Sequence, residues 1–257
     1  MDANNIEFEV SIVDHCNLNC AYCANFSNLA PKKFLKIEDF ERDMKRLGKI
    51  FVGKCHHAKI LGGEPLLHTN YLKFLKTARK YFSGRISIIT NGLLLKEEEI
   101  KDLIKYKIDL IVSKYPIKLN YKKFDYHNVE DTTNFYRTRR IFEEKSMFEI
   151  RSIDLTGGKD PNISSSKCKL FNKCVTLKNG RLYTCSFAPN VEFFSKYFNK
   201  DIYPLESDSI DIYKEGLTKE EIFEFTKKPI SLCKYCNIDR NRLVPWKKTE
   251  FKIEEYI

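Results

Sequence analysis

The first half of the chain alternates short apolar runs with longer segments whose apolar residues recur every three or four positions. Residues 6–13 read as a strand. Beyond them Ile37, Phe40, Met44, Leu47 and Ile50 fall at helical spacing and predict an amphipathic helix over 37–51. The apolar run 58–61 predicts a second strand, and Tyr71, Phe74 and Ala78 predict a helix ending at Phe82. Residues 86–90 read as a short buried strand closed by the turn Asn91-Gly92, 97–106 as helix and 108–113 as strand. This alternation argues for an α/β fold with a parallel sheet and helices outside it. The rhythm loosens over 115–147, where one further strand–helix unit is expected before a strand at 148–155. The count, about five or six parallel strands, falls short of the eight of a full (β/α)8 barrel.

Gly157 to Asn162 and the serines 164–166 form a turn-rich stretch that divides the chain into regions 1–156 and 157–257. In the second region two strand-like runs flank Asn179-Gly180, a strong hairpin signal. A helix is expected over 219–227, followed by the knuckle Cys233-Lys234-Tyr235-Cys236.

Composition narrows the setting. No run of eighteen apolar residues exists, so no membrane insertion is expected, and the polar start Met1-Asp2-Ala3-Asn4-Asn5 lacks a secretory signal pattern. A cytoplasmic location follows as the expectation, in which the nine cysteines serve metals rather than disulfides. The formal charge of +10 favours an anionic partner. The lysines are scattered, however, and no nucleic-acid module stands out. The histidines His15, His56, His57, His68 and His127 form no metal-binding pair, and only His15 and His68 fall beside motifs.

The chemistry concentrates in Cys16-x3-Cys20-x2-Cys23, directly after the first strand. Three soft sulfur ligands on one tight loop suit an iron–sulfur cluster or zinc. A structural zinc site wants a fourth ligand, and His15 is too close to Cys16 to fold back as one. A four-iron cluster held by three thiolates keeps one iron open for chemistry. After the second strand comes Gly62-Gly63-Glu64-Pro65, where glycines permit close backbone approach and the carboxylate can accept from an ammonium group. Together these two motifs resemble the radical S-adenosylmethionine (SAM) superfamily, including the aromatic Tyr22 before the last cysteine. The resemblance implies a partial (β/α)6 barrel, a 4Fe–4S cluster on Cys16, Cys20 and Cys23, and SAM held through Gly62, Gly63, Glu64 and Pro65. It further implies Tyr22 near the adenine, with Thr90, Asn91 and Ser113 at strand ends as candidates for the ribose and carboxylate.

Five cysteines lie in the second region. The layout of Cys168, Gly180, Cys185, Cys233 and Cys236, with a hairpin and a helix between them, resembles the superfamily's small auxiliary-cluster extension, the Twitch domain. It implies a second 4Fe–4S cluster on Cys168, Cys185, Cys233 and Cys236; a zinc ribbon is the alternative. Cys174 is expected to pack behind the cluster, and Cys55 to be a buried small hydrophobe. In architecture the chain resembles the superfamily's amino-cyclitol dehydrogenases, and in local wording its surface-polysaccharide proteins. That implies oxidation of a carbohydrate (sugar, sugar nucleotide or cyclitol) with the auxiliary cluster as electron acceptor, in polysaccharide or secondary-metabolite biosynthesis. Arg151 or Lys159 would take the proton, and a one-electron reductant such as flavodoxin or ferredoxin would feed the first cluster. Arg137, Arg139, Arg140 and Lys145, with Arg151, motivate the expectation of an anionic, phosphate-bearing substrate. Peptide or protein modification and sugar epimerisation are the alternative outcomes.

Overall fold

The computed structural model describes residues 7–54, 56–118, 140–173 and 175–257. Cys55, Cys174, Arg137 and Arg139 lie outside them, as does the expected helical unit between 119 and 139. Strands β1 (Glu7–Ser11), β2 (His57–Leu61), β3 (Arg85–Thr90), β4 (Asp109–Lys114) and β5 (Arg140–Glu144) stand side by side in chain order, each parallel to the next. Helices α1 (Ile37–Ile50), α2 (Tyr71–Tyr81) and α3 (Glu97–Lys105) connect them as the periodicity predicts. Phe40, Met44 and Leu47 of α1 and Phe74, Leu75 and Ala78 of α2 share one core with Phe8, Val10, Ile60, Ile86 and Ile88 of the strands. Burying each such large side chain stabilises the fold by about 1.5–3 kcal/mol, so the apolar stripe fixes how each helix lies on the sheet.

On the free edge of β1 the sheet continues with β7 (Thr176–Lys178), parallel to β1, then β8 (Arg181–Tyr183) and β9 (Ser209–Asp211), both antiparallel. The β7–β8 turn has Asn179 at φ 51° and Gly180 at φ 72°, the two left-handed positions that the Asn-Gly pair predicts. All eight strands form one sheet, so the second region extends the first through main-chain pairing.

Two segments differ from expectation. The strand expected over 148–155 is only β6 (Met147–Ile150), and it pairs antiparallel with β10 (Arg242–Pro245) outside the parallel sheet. Its extension is stopped by Asp154, whose carboxylate accepts from Thr156 N, Thr156 Oγ1 and Gly158 N and curls the chain into a turn. The sixth parallel strand is instead β7, from the hairpin. The serine-rich boundary is also not all turn. Asp160 caps the backbone of Asn162 and Ile163, Pro161 opens the first turn, and α4 runs Pro161–Lys167.

Helices α5 (Val191–Tyr197) and α6 (Lys219–Thr226) follow, the latter close to its predicted span. A second core joins Phe26 and Leu29, just past the cysteine loop, to Phe187, Phe194, Leu232 and Tyr256. Among the described residues no helix is long and apolar enough to cross a membrane.

Candidate active site and cysteine centres

The chain leaves β1 through a tightly wound loop in which Asn19, Tyr22 and Phe26 all have positive φ (50°, 61° and 52°). Asparagine tolerates that region; an aromatic residue there costs on the order of 1–3 kcal/mol and persists only when neighbours over-determine it. The neighbours here come from far along the chain. Ala21 N donates to Lys247 O at 3.0 Å and Thr249 N to Asn19 O at 2.8 Å, so residues 246–249 lie as a strap along the loop. Cys16, Cys20 and Cys23 line one pocket together with Gly62, Gly63 and Glu64. Burial pushes the Cys16 and Cys20 thiols up to about 12, and the neighbouring thiols add to the rise. Three thiols brought onto one pocket wall are a soft donor set that suits a cationic iron centre.

The two glycines pack directly against the backbone of the cysteine loop. A Cβ on Gly62 would lie 2.4 Å from Val13 O, and one on Gly63 would lie 2.0 Å from His15 O. The cysteine loop itself fills that space. Gly63 N donates to Val13 O at 2.7 Å and Glu64 N to His15 O at 3.1 Å, which fixes the end of β2 against the cysteine loop. Glu64 is buried, with 1% of its surface exposed. Its Oε1 accepts from Thr90 Oγ1 at 2.6 Å and Leu66 N at 3.1 Å, and its Oε2 from Asn91 N at 2.9 Å. Burial still pushes its acid up to about 7 despite those donors. A carboxylate offers about four acceptor positions. The remaining one, on Oε2, suits a buried cation.

Thr90 and Asn91 line the pocket too; Thr90 also positions Glu64, and Asn91 Nδ2 donates to Asn17 Oδ1 at 2.8 Å. Ser113 lines the pocket. Tyr22 does not; its ring lies 6.0 Å from Lys247 Nζ on the strap. Pro65 is buried at the start of a 3-10 turn, Pro65–Leu67. Asn25, Ser27, Asn28, Tyr115 and Phe148, none of them singled out as a site residue above, also line the wall, with Leu61 and Ile89. Among the described residues no lysine or arginine lines this pocket. Lys145 pairs with Glu143 and Arg151 with Glu149. Arg151 lies near Cys236, where its charge favours the thiolate. Lys159, on the outer turn, faces Asp154 and Asp239.

The second cysteine set gathers from three elements. Cys168 ends α4, Cys185 follows β8, and Cys233 and Cys236 sit on and just after the 3-10 turn Ser231–Tyr235. Burial pushes Cys185 up to about 12, and each of Cys168, Cys185 and Cys233 adds to the rise at Cys236. Among the described residues no three His, Cys, Asp or Glu side chains converge tightly enough for a single metal ion.

The parallel sheet, the three-cysteine loop and the glycine–glutamate strand end define a radical SAM domain. Residues 10–113 match the family model described as the Radical SAM superfamily, so this part of the chain is a radical SAM enzyme domain. Such a domain implies a 4Fe–4S cluster and SAM. A GTP 3′,8-cyclase of Clostridium botulinum (strain Okra) is 25% identical over 248 residues, covering 89% of this chain and 75% of that one. A probable GTP 3′,8-cyclase of Thermoplasma volcanium is 34% identical over 90 residues, and the match spans 35% of this chain and only 27% of that protein's length. Among solved structures, BtrN in complex with AdoMet and 2-DOIA shares the fold with a TM-score of 0.56 at 18% identity, over 90% of this chain and 92% of that one.

Proposed function

We propose that the chain oxidises an alcohol carbon of a carbohydrate or cyclitol by SAM-radical chemistry, with a second 4Fe–4S cluster on Cys168, Cys185, Cys233 and Cys236 as electron acceptor. When bound, the first cluster supplies the electron that splits SAM into methionine and a 5′-deoxyadenosyl radical, and a fully cysteine-ligated second cluster supplies an acceptor for the electron left as the ketone forms. Cys16, Cys20 and Cys23 would hold the first cluster, with Glu64 Oε2 accepting from the methionyl ammonium. Tyr115 and Phe148 give the pocket an aromatic side, with their rings 6.1 Å apart.

The observation that carries the reading is the path of the segment after β5. Phe148 of β6 lines the pocket, and a few residues later Ile153 pairs with Cys236 while Asn237 N donates to Ser152 O at 2.9 Å. One short stretch of chain thus touches both cysteine centres.

Asn25 and Ser27 bring neutral hydrogen-bonding groups beside the two aromatic rings, which suits a hydroxyl-rich ring. This favours a substrate recognised through its hydroxyls over the phosphate-bearing one the charge balance suggests. Arg151, whose charge lies near Cys236, and Lys159 stay the candidates to interact with the substrate hydroxyl as its proton leaves. A reductant such as flavodoxin or ferredoxin completes the scheme.

The test follows 5′-deoxyadenosine and ketone formation in reduced, reconstituted enzyme given panels of cyclitols, free sugars, sugar nucleotides and peptides. Cyclitols or sugars should stimulate both, and Cys233→Ala should keep 5′-deoxyadenosine while losing ketone. Ketone formed normally by Cys233→Ala, or stimulation by peptides alone, overturns the proposal.

A further inference from the structure

Trp246 is the chain's single tryptophan, and it reaches the cysteine loop from the strap that follows β10. Its Nε1 lies 3.0 Å from Cys20 Sγ, across 226 residues of sequence. Indole nitrogen is a donor only, so this contact has one polarity: the N–H points at the sulfur. The ring is held at both ends of its backbone. Trp246 N donates to Ser146 O at 2.8 Å, and the next residue's carbonyl accepts from Ala21 N at 3.0 Å. Its side chain also meets Tyr115, the rings 6.1 Å apart, so the donor sits in an aromatic layer at the pocket wall. Nearby, Leu18 N donates to Cys16 Sγ at 3.5 Å, so two of the three sulfurs accept an N–H bond, one local and one from the distant strap.

We propose that Trp246 sets the reduction potential of the cluster on Cys16, Cys20 and Cys23 by donating its indole N–H to Cys20 Sγ. The inference rests on the radical SAM assignment of that loop. Adding an electron raises the negative charge on the cluster's sulfurs, and a donor aimed at one of them stabilises the reduced form more than the oxidised form. Hydrogen bonds to the sulfurs are among the factors that set such potentials. The strap thereby ties the ease of the first electron transfer to the packing of β10 on β6, the strand that runs towards the second cysteine set. Trp246 is a positioning residue in this scheme and touches no substrate.

The experiment uses the full chain, reconstituted anaerobically, with iron content measured first. Trp246→Phe keeps a ring and removes the donor. Its reduced-to-oxidised ratio at the wild-type midpoint should fall roughly tenfold, equal to about 59 mV for a one-electron couple, with iron content unchanged. Should this variant fail to load iron, the wild type decides alone. Because the chain has one tryptophan, indole-15N labelling is unambiguous, and the reduced cluster should show a 15N hyperfine coupling and an exchangeable proton lost in D2O. A midpoint unchanged in loaded Trp246→Phe, or no 15N coupling in the wild type, overturns the inference while leaving the cluster assignment intact. Wild-type protein that binds no cluster overturns both.

Discussion

Replacing Glu64 by Gln removes one negative charge from the pocket and leaves the side chain's size unchanged. In the wild type, Thr90 Oγ1, Leu66 N and Asn91 N occupy three of the carboxylate's acceptor positions, which leaves one on Oε2 for the methionyl ammonium. A hydrogen bond to a charged group is worth about 1.5–3 kcal/mol, so SAM affinity should weaken roughly ten- to hundredfold. The amide carries a second consequence. If its oxygen keeps the Thr90 and Leu66 bonds, its NH2 meets Asn91 N–H, two donors facing each other in a buried site. That conflict should cost the fold about 1–3 kcal/mol, visible as a lower denaturation midpoint. The assay is equilibrium binding of SAM to reconstituted, oxidised protein, with cluster absorbance and iron content as controls. Unchanged affinity in a variant with an intact cluster would mean that Glu64 does not touch SAM, and its role would be confined to holding the ends of β2 and β3 together.

The remaining predictions concern the metal, the loop and acid stability. Wild-type protein should hold about eight irons in two clusters, and joint replacement of Cys16, Cys20 and Cys23 by Ala should remove roughly half and abolish SAM cleavage; full iron with continued cleavage would refute the ligand set. Gly63→Ala should lose the first cluster or the fold, because its Cβ would stand 2.0 Å from His15 O; normal iron content and activity would show that the loop can yield. His57 is buried among Ser87, Glu7, Lys59, Arg85 and Asp109, and burial first, then Arg85 and Lys59, lowers its pKa to about 4. Since the unfolded chain binds the proton more readily, its contribution is complete above the unfolded value of 6.5 and shrinks as pH falls towards 4. Between pH 6.5 and 5 the loss should be about 2 kcal/mol, measured as a difference in urea midpoints that His57→Gln abolishes; an equally steep fall in that variant assigns the acid sensitivity elsewhere.

The helices and parallel strands of the first region were legible because each carries a regular apolar stripe, and the cysteine and glutamate motifs stood out through their resemblance to a known family. What escaped notice was made by contacts across the chain. Asn25, Ser27, Asn28 and Tyr115 are ordinary loop residues until the fold curls them around one pocket. Trp246 sits in a polar tail with no pattern of its own, and only the pairing of β10 with β6 turns its ring towards Cys20. The helix α4 did carry a local signal, Asp160-Pro161, a capping residue before a proline at the first helical position, but the serines after it masked the helix. The short β6 shows the reverse. Its apolar residues read as a longer strand, and one aspartate's three local hydrogen bonds cut it short.

The strap along the cysteine loop has a consequence for the order of events during synthesis. Cys20 leaves the ribosome early, while Lys247, Trp246 and Thr249, which brace its loop, are joined to the chain 226 or more residues later. At roughly 5–20 residues per second, that interval lasts about ten seconds or longer. Throughout it the three thiols stand on an unbraced segment, open to oxygen, stray metal ions and one another. Iron delivery that begins on the nascent chain would meet an open loop, and delivery after translation would meet a closed one. Expression at lower temperature stretches the unbraced period, whereas keeping the culture reducing removes its hazard, so yield of loaded protein should respond more to redox conditions than to cooling.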